Sequence, residues 1–224
     1  EQVDRLTKEG KLDEVDWMRL YGDEYNQGKG FVGQMPAVGA GMTDIRQNEA
    51  VLAVYASLFG RQDLLAKLDR FGLMRPTKSR PDYRTETGFV HWDQNPTLEP
   101  NFARVQGILT LSEHTATSGG FHCVPGFVPH FKVYGEEKAM AYYEEDLVAL
   151  DDACLRAKHL TRILAKRGSL IIWDGRTPHG NWPQVDSEEW RKVVYMTYFP
   201  SPENPTLTAM YKKVVEMTPF LEPM

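Results

Sequence analysis

The chain has 224 residues, 42% of them hydrophobic and 25% charged, with a net charge of −5. That composition fits one soluble globular domain with a sizeable core. The acidic balance argues against nucleic acid, whose binders present a basic surface to phosphates, and no apolar run approaches the roughly 20 residues that span a bilayer.

The opening, EQVDRLTKEGKLDEVDW, is charged throughout and lacks the apolar core of a signal peptide. An intracellular, cytoplasmic setting is the expectation, with organelle targeting left open. The two cysteines, Cys123 and Cys154, make at most one bridge and no disulfide framework, so both are expected reduced.

In chain order, Gln2 to Tyr21 reads as a helix, with a rough apolar stripe of Val3, Leu6, Val15, Met18 and Leu20. Gly22 to Met42 holds six glycines and one proline and reads as a lid, a surface loop or a disordered segment. Thr43-Asp44 offers a cap for a second helix, Ile45 to Leu58, that stops at Gly60. Gln62 to Leu68 reads as a short third helix.

From Phe71 the pattern turns to strands. Phe71 to Pro76, Gly88 to Asp93, Ala103 to Glu113, Lys158 to Leu164, Gly168 to Asp174 and Arg191 to Phe199 are the candidates. A charged, helix-compatible insert, Val128 to Ala149, interrupts them, and a closing helix covers Thr206 to Val215. Helices followed by many short strands point to a mainly β fold with helical buttresses, and a jelly roll, whose facing sheets enclose a cavity, is the natural candidate. The division is a helical lead-in (1–70), a jelly-roll core (71–200) and a C-terminal helix (201–224) within a single domain, 1–224.

Three pieces carry chemistry. In His91-Trp92-Asp93, strand alternation turns the imidazole and the carboxylate to one face. Those are two of the ligand types of the 2-His-1-carboxylate triad that holds Fe(II). The second piece is His179, at a turn after the apolar run SLIIWDG and 86 positions beyond Asp93. The third is Arg191, 12 residues further on and opening the strand RKVVYMTYF. A guanidinium inside a cavity needs an anion, and it grips a carboxylate through two parallel hydrogen bonds. Taken singly, each piece has a plainer reading: a chance His-x-Asp, a solvated loop histidine, a surface arginine facing Glu188 or Glu189.

Together they resemble the phytanoyl-CoA dioxygenase family of 2-oxoglutarate oxygenases. The resemblance rests on VHWDQNP (90–96), SGGFHCVPG (118–126), the stretch from Gly168 through His179 to Arg191, and the lead-in from IRQN (45–48) to DRFGLMRP (69–76). It covers roughly residues 44 to 200. It implies a double-stranded β-helix, the cupin-like form of the jelly roll. It also implies iron on His91, Asp93 and His179, with Arg191 on the distal carboxylate of 2-oxoglutarate. Asn181, two after the distal histidine where many members have Ser, would help hold that carboxylate. With O2 the expected reaction is hydroxylation of a small organic substrate with release of succinate and CO2. A carboxylate at Asp93 favours hydroxylation over halogenation, because related halogenases carry a small residue there.

On ARVQGILTLSE one face presents Arg104, Gln106, Ile108 and Thr110. Gln106 and Thr110 are expected to line the cosubstrate pocket, unless that face meets solvent. His122 is a candidate for the site's edge, and Cys123 beside it for the metal's vicinity. His114, His130 and His159 are expected at the surface, and Trp92 is expected to point away from the metal. The basic cluster Arg75, Lys78, Arg80 and Arg84 either meets an anionic substrate or is solvated surface. The alternatives are a non-catalytic cupin-like binding module and a hydrolytic zinc enzyme, the latter lacking a placed general base.

Overall fold

The computed structural model describes residues 9, 25–26, 28–33, 40–67, 69–85, 90–102, 104–137, 148–149 and 159–200. The expected helices over 2–21 and 206–215, and Cys154, lie outside the described residues.

Two antiparallel sheets form the body. The larger runs β1 (Tyr25–Asn26), β2 (Phe31–Val32), β4 (Phe71–Met74), β12 (Arg191–Pro200), β6 (Val105–Thr110) and β10 (Leu170–Asp174), with β3 (Leu64–Ala66) paired to the far end of β12. The smaller runs β8 (Val148–Ala149), β5 (His91–Trp92), β11 (His179–Trp182), β7 (Gly120–Cys123) and β9 (Thr161–Ile163). Apart from β1 and β2, neighbours in both sheets are far apart in sequence, the mark of a jelly roll.

Alternation along β12 sorts its side chains. Val194, Met196 and Tyr198 face outward onto α1 (Ala40–Arg46) and α2 (Glu49–Phe59), where Val51 and Tyr55 complete a buried cluster. The rings of Tyr55 and Tyr198 lie 4.2 Å apart. Full burial of side chains this size contributes roughly 1.5–3 kcal/mol each, which is what holds the helices to the sheet. Val193 faces inward with Ile108 of β6 and Phe121 of β7 and packs the space between the sheets. On the outer face of the smaller sheet, Trp92 packs with Val90, Val124, Phe127 and Phe131, the last opening α3 (Phe131–Glu137). Trp92 thus points away from the cavity, as alternation requires.

Several elements differ from the sequence reading. The helix expected over 45–58 is two helices broken at Gln47-Asn48. Asn48, not Thr43-Asp44, is the cap of α2: its side chain accepts from Ala50 N at 3.0 Å and competes with continuation of α1. Gly60 does end α2, at φ 65°. The helix expected over 62–68 is instead β3, because pairing with Tyr198 to Pro200 overrides a weak local preference. The described part of the glycine-rich stretch is a hairpin, β1–β2, turned at Gly30 with φ 68°, and the first residues of α1. In the insert over 128–149, α3 and β8 are described and 138–147 are not.

Candidate metal centre

The site begins with a cross-strand pair. β11 runs beside β5 in a register that sets His179 opposite His91, and their ring centroids are 4.6 Å apart. Asp93 leaves the end of β5 and reaches back between them. Its Oδ1 is 3.3 Å from His91 Nε2 and its Oδ2 is 3.6 Å from His179 Nε2. One donor atom from each residue lies within 4.8 Å of the others. Cis ligands on one cation, at bond lengths of about 2.1 Å, stand about 3 Å apart, so small side-chain rotations close the set.

The donors are held by neighbours. His179 Nδ1 donates to the Thr177 carbonyl at 3.0 Å, which fixes the tautomer and leaves Nε2 for a metal. Gln106 Nε2 donates to Asp93 Oδ2. Arg104 Nη1 donates to the Asp93 carbonyl at 3.1 Å and is ion-paired with Glu99. The indole of Trp173 and the ring of Phe121 flank His179 at 4.8 and 6.0 Å. Burial pushes the Asp93 carboxyl up, but the hydrogen bonds and charges of His179 and His91 outweigh it and hold it well below the usual carboxylate range. Burial pulls the His91 imidazole down, opposed by its bond to Asp93. Asp93 ionised and His91 neutral are the forms that bind a cation.

These three residues line a cavity of about 120 Å³ together with Gln106, Asn181 and Tyr195. Asn181 Nδ2 donates to the Lys29 carbonyl and Tyr195 Oη donates to Asn181 Oδ1, both at 2.9 Å. Behind Tyr195 lies Arg191, fully buried. A β-carbon on Gly72 would be 3.0 Å from Arg191 Nη1 and 3.1 Å from Tyr195 Oη, so the two groups face each other across the missing side chain. None of the three guanidinium nitrogens has a hydrogen-bond partner among the described residues. The surface-arginine reading is therefore excluded.

Other expectations need correcting. Thr110 does not line the cavity: its hydroxyl is used by the carbonyls of Lys166 and Ser169, at 2.7 and 3.1 Å, and by Ser169 N. Ile108 is core rather than pocket wall. His122 lies on the outer side of β7, edge-on to Trp182 at 5.7 Å, away from the cavity lining. Cys123 stands opposite His179 in register, yet its side chain joins the apolar packing between the sheets and is not one of the clustered donors. His114 is buried, not at the surface, and neither ring nitrogen has a hydrogen-bond partner among the described residues. The basic cluster is not at the site: Arg75 stacks on Tyr83, Arg80 pairs with Asp82, Lys78 with Glu188, and Arg84 donates to the Val185 carbonyl.

The sequence reading missed Tyr195, Lys29, Lys67 and Arg70, which line the cavity. Tyr195 was legible, being two alternation steps from Arg191 on one strand face. The other three come together only through strand pairing.

No family model matches the chain. It is 26% identical over 167 residues to a putative phytanoyl-CoA dioxygenase of Dictyostelium discoideum, a match covering 61% of this chain and 47% of that protein. The chain thus spans about half the length of this curated relative. Among solved structures, EctD from S. alaskensis with 2-oxoglutarate and 5-hydroxyectoine superposes with a TM-score of 0.57 at 17% identity, covering 88% of this chain and 67% of that one. The epimerase SnoN, in complex with Fe3+, alpha ketoglutarate and nogalamycin RO, gives 0.57 at 13% identity, covering 86% and 74%. AviO1 from Streptomyces viridochromogenes Tue57 gives 0.55 at 15%, covering 90% and 82%. At these identities the structures establish the shared jelly-roll fold.

Proposed function

We propose that this chain is a non-haem Fe(II)- and 2-oxoglutarate-dependent dioxygenase that hydroxylates a small organic substrate with release of succinate and CO2. The observation that carries the reading is Arg191: a fully buried guanidinium with no hydrogen-bond partner among the described residues, outside the cavity lining itself but facing the same missing Gly72 side chain as Tyr195, which lines the cavity with the His-Asp-His cluster. A buried charge left alone costs several kcal/mol, so the pocket is built for an anion. A metal site and an anion site set one after the other suit a ligand with a chelating end and a distal carboxylate. The relative of similar sequence and the superposed structures bearing Fe and 2-oxoglutarate point the same way.

In this reading His91, Asp93 and His179 hold the iron, and Gln106 and Arg104 hold Asp93. Three protein donors leave open coordination positions, as the facial triad of oxygenases requires. Arg191 binds the distal carboxylate of 2-oxoglutarate, and Tyr195 and Asn181, already hydrogen-bonded to each other, orient it. Iron with 2-oxoglutarate and O2 supplies the oxidation; the chain positions the partners and keeps water from them. Phe121 and Trp173 form apolar walls beside His179.

The test is anaerobic titration of the protein with Fe(II) and 2-oxoglutarate, followed by the charge-transfer absorption of the chelate, and then succinate formation on admitting O2. His179→Ala is expected to lose the absorption and the turnover. A wild-type chain that binds neither would leave a cupin-like binding module without this chemistry.

A further inference from the structure

Three cationic residues, Lys29, Lys67 and Arg70, line the same cavity, against the single carboxylate of Asp69 once Asp93 is assigned to the metal. Their backbones are fixed. Lys29 occupies the β1–β2 turn, where its N–H donates to Asn26 Oδ1 at 2.9 Å. Lys67 N–H donates to the Thr197 carbonyl at 2.8 Å. Arg70 precedes β4, and its guanidinium carbon lies 4.7 Å above the Phe31 ring. Among the described residues, neither the Lys67 nor the Arg70 side chain has a carboxylate or hydrogen-bond partner.

Lys67 is tied to Thr197, six residues along β12 from Arg191. The Arg191 guanidinium, however, reaches back to Gly72, which stands opposite Val193, so the two levels lie four residues or roughly 13 Å of strand apart, still longer than a five-carbon diacid. One molecule of 2-oxoglutarate therefore does not use both ends. With metal and dicarboxylate in place, the Lys67 end keeps an excess of positive charge. The walls between are aromatic: Phe31, Phe121, Trp173 and Tyr195.

We infer that the substrate is a small organic anion whose carboxylate or phosphate is bound by Lys67 and Arg70, with Lys29 beside them, while its apolar body lies along the aromatic walls toward the His-Asp-His cluster. The inference rests on the function proposed above for where the reacting carbon lies, but the anion site itself is separable from it. Cations held over an aromatic floor at the rim of a low-dielectric cleft draw in anions and select against amines.

The experiment uses the metal-free full chain and four probes of one shape: benzoate, phenyl phosphate, benzamide and benzylamine. Calorimetric titration should find at least one of the two anions bound about tenfold or more tightly than benzamide, with benzylamine weaker still, and the preference should shrink as salt rises. The stronger of benzoate and phenyl phosphate tells carboxylate from phosphate. In the Lys67→Gln/Arg70→Gln double variant the preference should vanish, while Arg70→Lys should keep most of it. The thermal transition of each unliganded variant reports its fold. Equal binding of anion and amide by the wild type overturns the inference. So does a preference that survives the double substitution yet disappears in Arg191→Met. Fe(II) and 2-oxoglutarate binding, measured separately on the wild type, reads the proposed function: its failure beside a rim-dependent anion preference would sink that function and leave the anion site standing.

Discussion

His179 lies directly opposite His91 in the antiparallel pairing of β11 with β5. Strand pairing thus delivers two imidazoles from segments 88 residues apart, and Asp93 spans them. The two imidazoles are set on paired sheet backbone and Asp93 follows directly from the end of β5, which limits how far each donor moves when a cation binds.

Gln106 is the side chain that fixes the Asp93 carboxylate. Gln106→Leu keeps the volume and removes the donor. Metal affinity should fall about 10- to 100-fold, the usual cost of losing a hydrogen bond to a ligand. Anaerobic titration with Fe(II) or Mn(II) measures it, and an unchanged affinity would remove Gln106 from the support of the site.

Arg191 should matter for the ligand and not for the fold. Arg191→Met replaces a buried charge that has no partner among the described residues by an apolar chain. The unliganded protein should unfold at the same or higher denaturant concentration, with a gain of about 1–4 kcal/mol. Affinity for 2-oxoglutarate should drop about 100-fold or more, from the loss of two charge-assisted hydrogen bonds. A clear loss of stability would mean that Arg191 serves an internal partner instead.

His114 should make the fold acid-sensitive. Burial first, and then the nearby charges of Arg191 and Arg162, push its imidazole from 6.5 down to about 3. Between those values the unfolded chain takes up a proton that the folded chain refuses. Stability is therefore lost as pH falls below about 6.5, by up to roughly 1.4 kcal/mol per pH unit. Urea unfolding of the metal-free protein at a series of pH values should show His114→Leu with a slope shallower by close to one proton. Parallel slopes would refute the assignment.

Gly72 leaves the space that Arg191 and Tyr195 face. An alanine there would bring its β-carbon within 2.5 Å of Val193 Cγ2 and about 3 Å of both polar groups. Gly72→Ala should cost about 1–3 kcal/mol of stability by overpacking and should weaken 2-oxoglutarate binding as well. Denaturation and ligand titration read the two effects separately.

Much of this was determined by the sequence alone. Alternation has a period of two residues, so His91-Trp92-Asp93 could be assigned one metal-facing side and an indole pointing away from it before any fold was known, and Arg191 and Val194 fall on opposite faces of β12. Stop signals such as Gly60 act locally and were equally legible. The tertiary structure decided what local rules do not reach. It turned 64–66 into a strand, because β12 offers a partner there. It drew the Thr110 hydroxyl to the carbonyls of Lys166 and Ser169 and buried His114 beside two arginines. It also brought Lys29, Lys67, Arg70 and Tyr195 around one cavity. Steric and hydrogen-bond preferences span a few residues, whereas the register between strands far apart in sequence is settled only when the two sheets pack together.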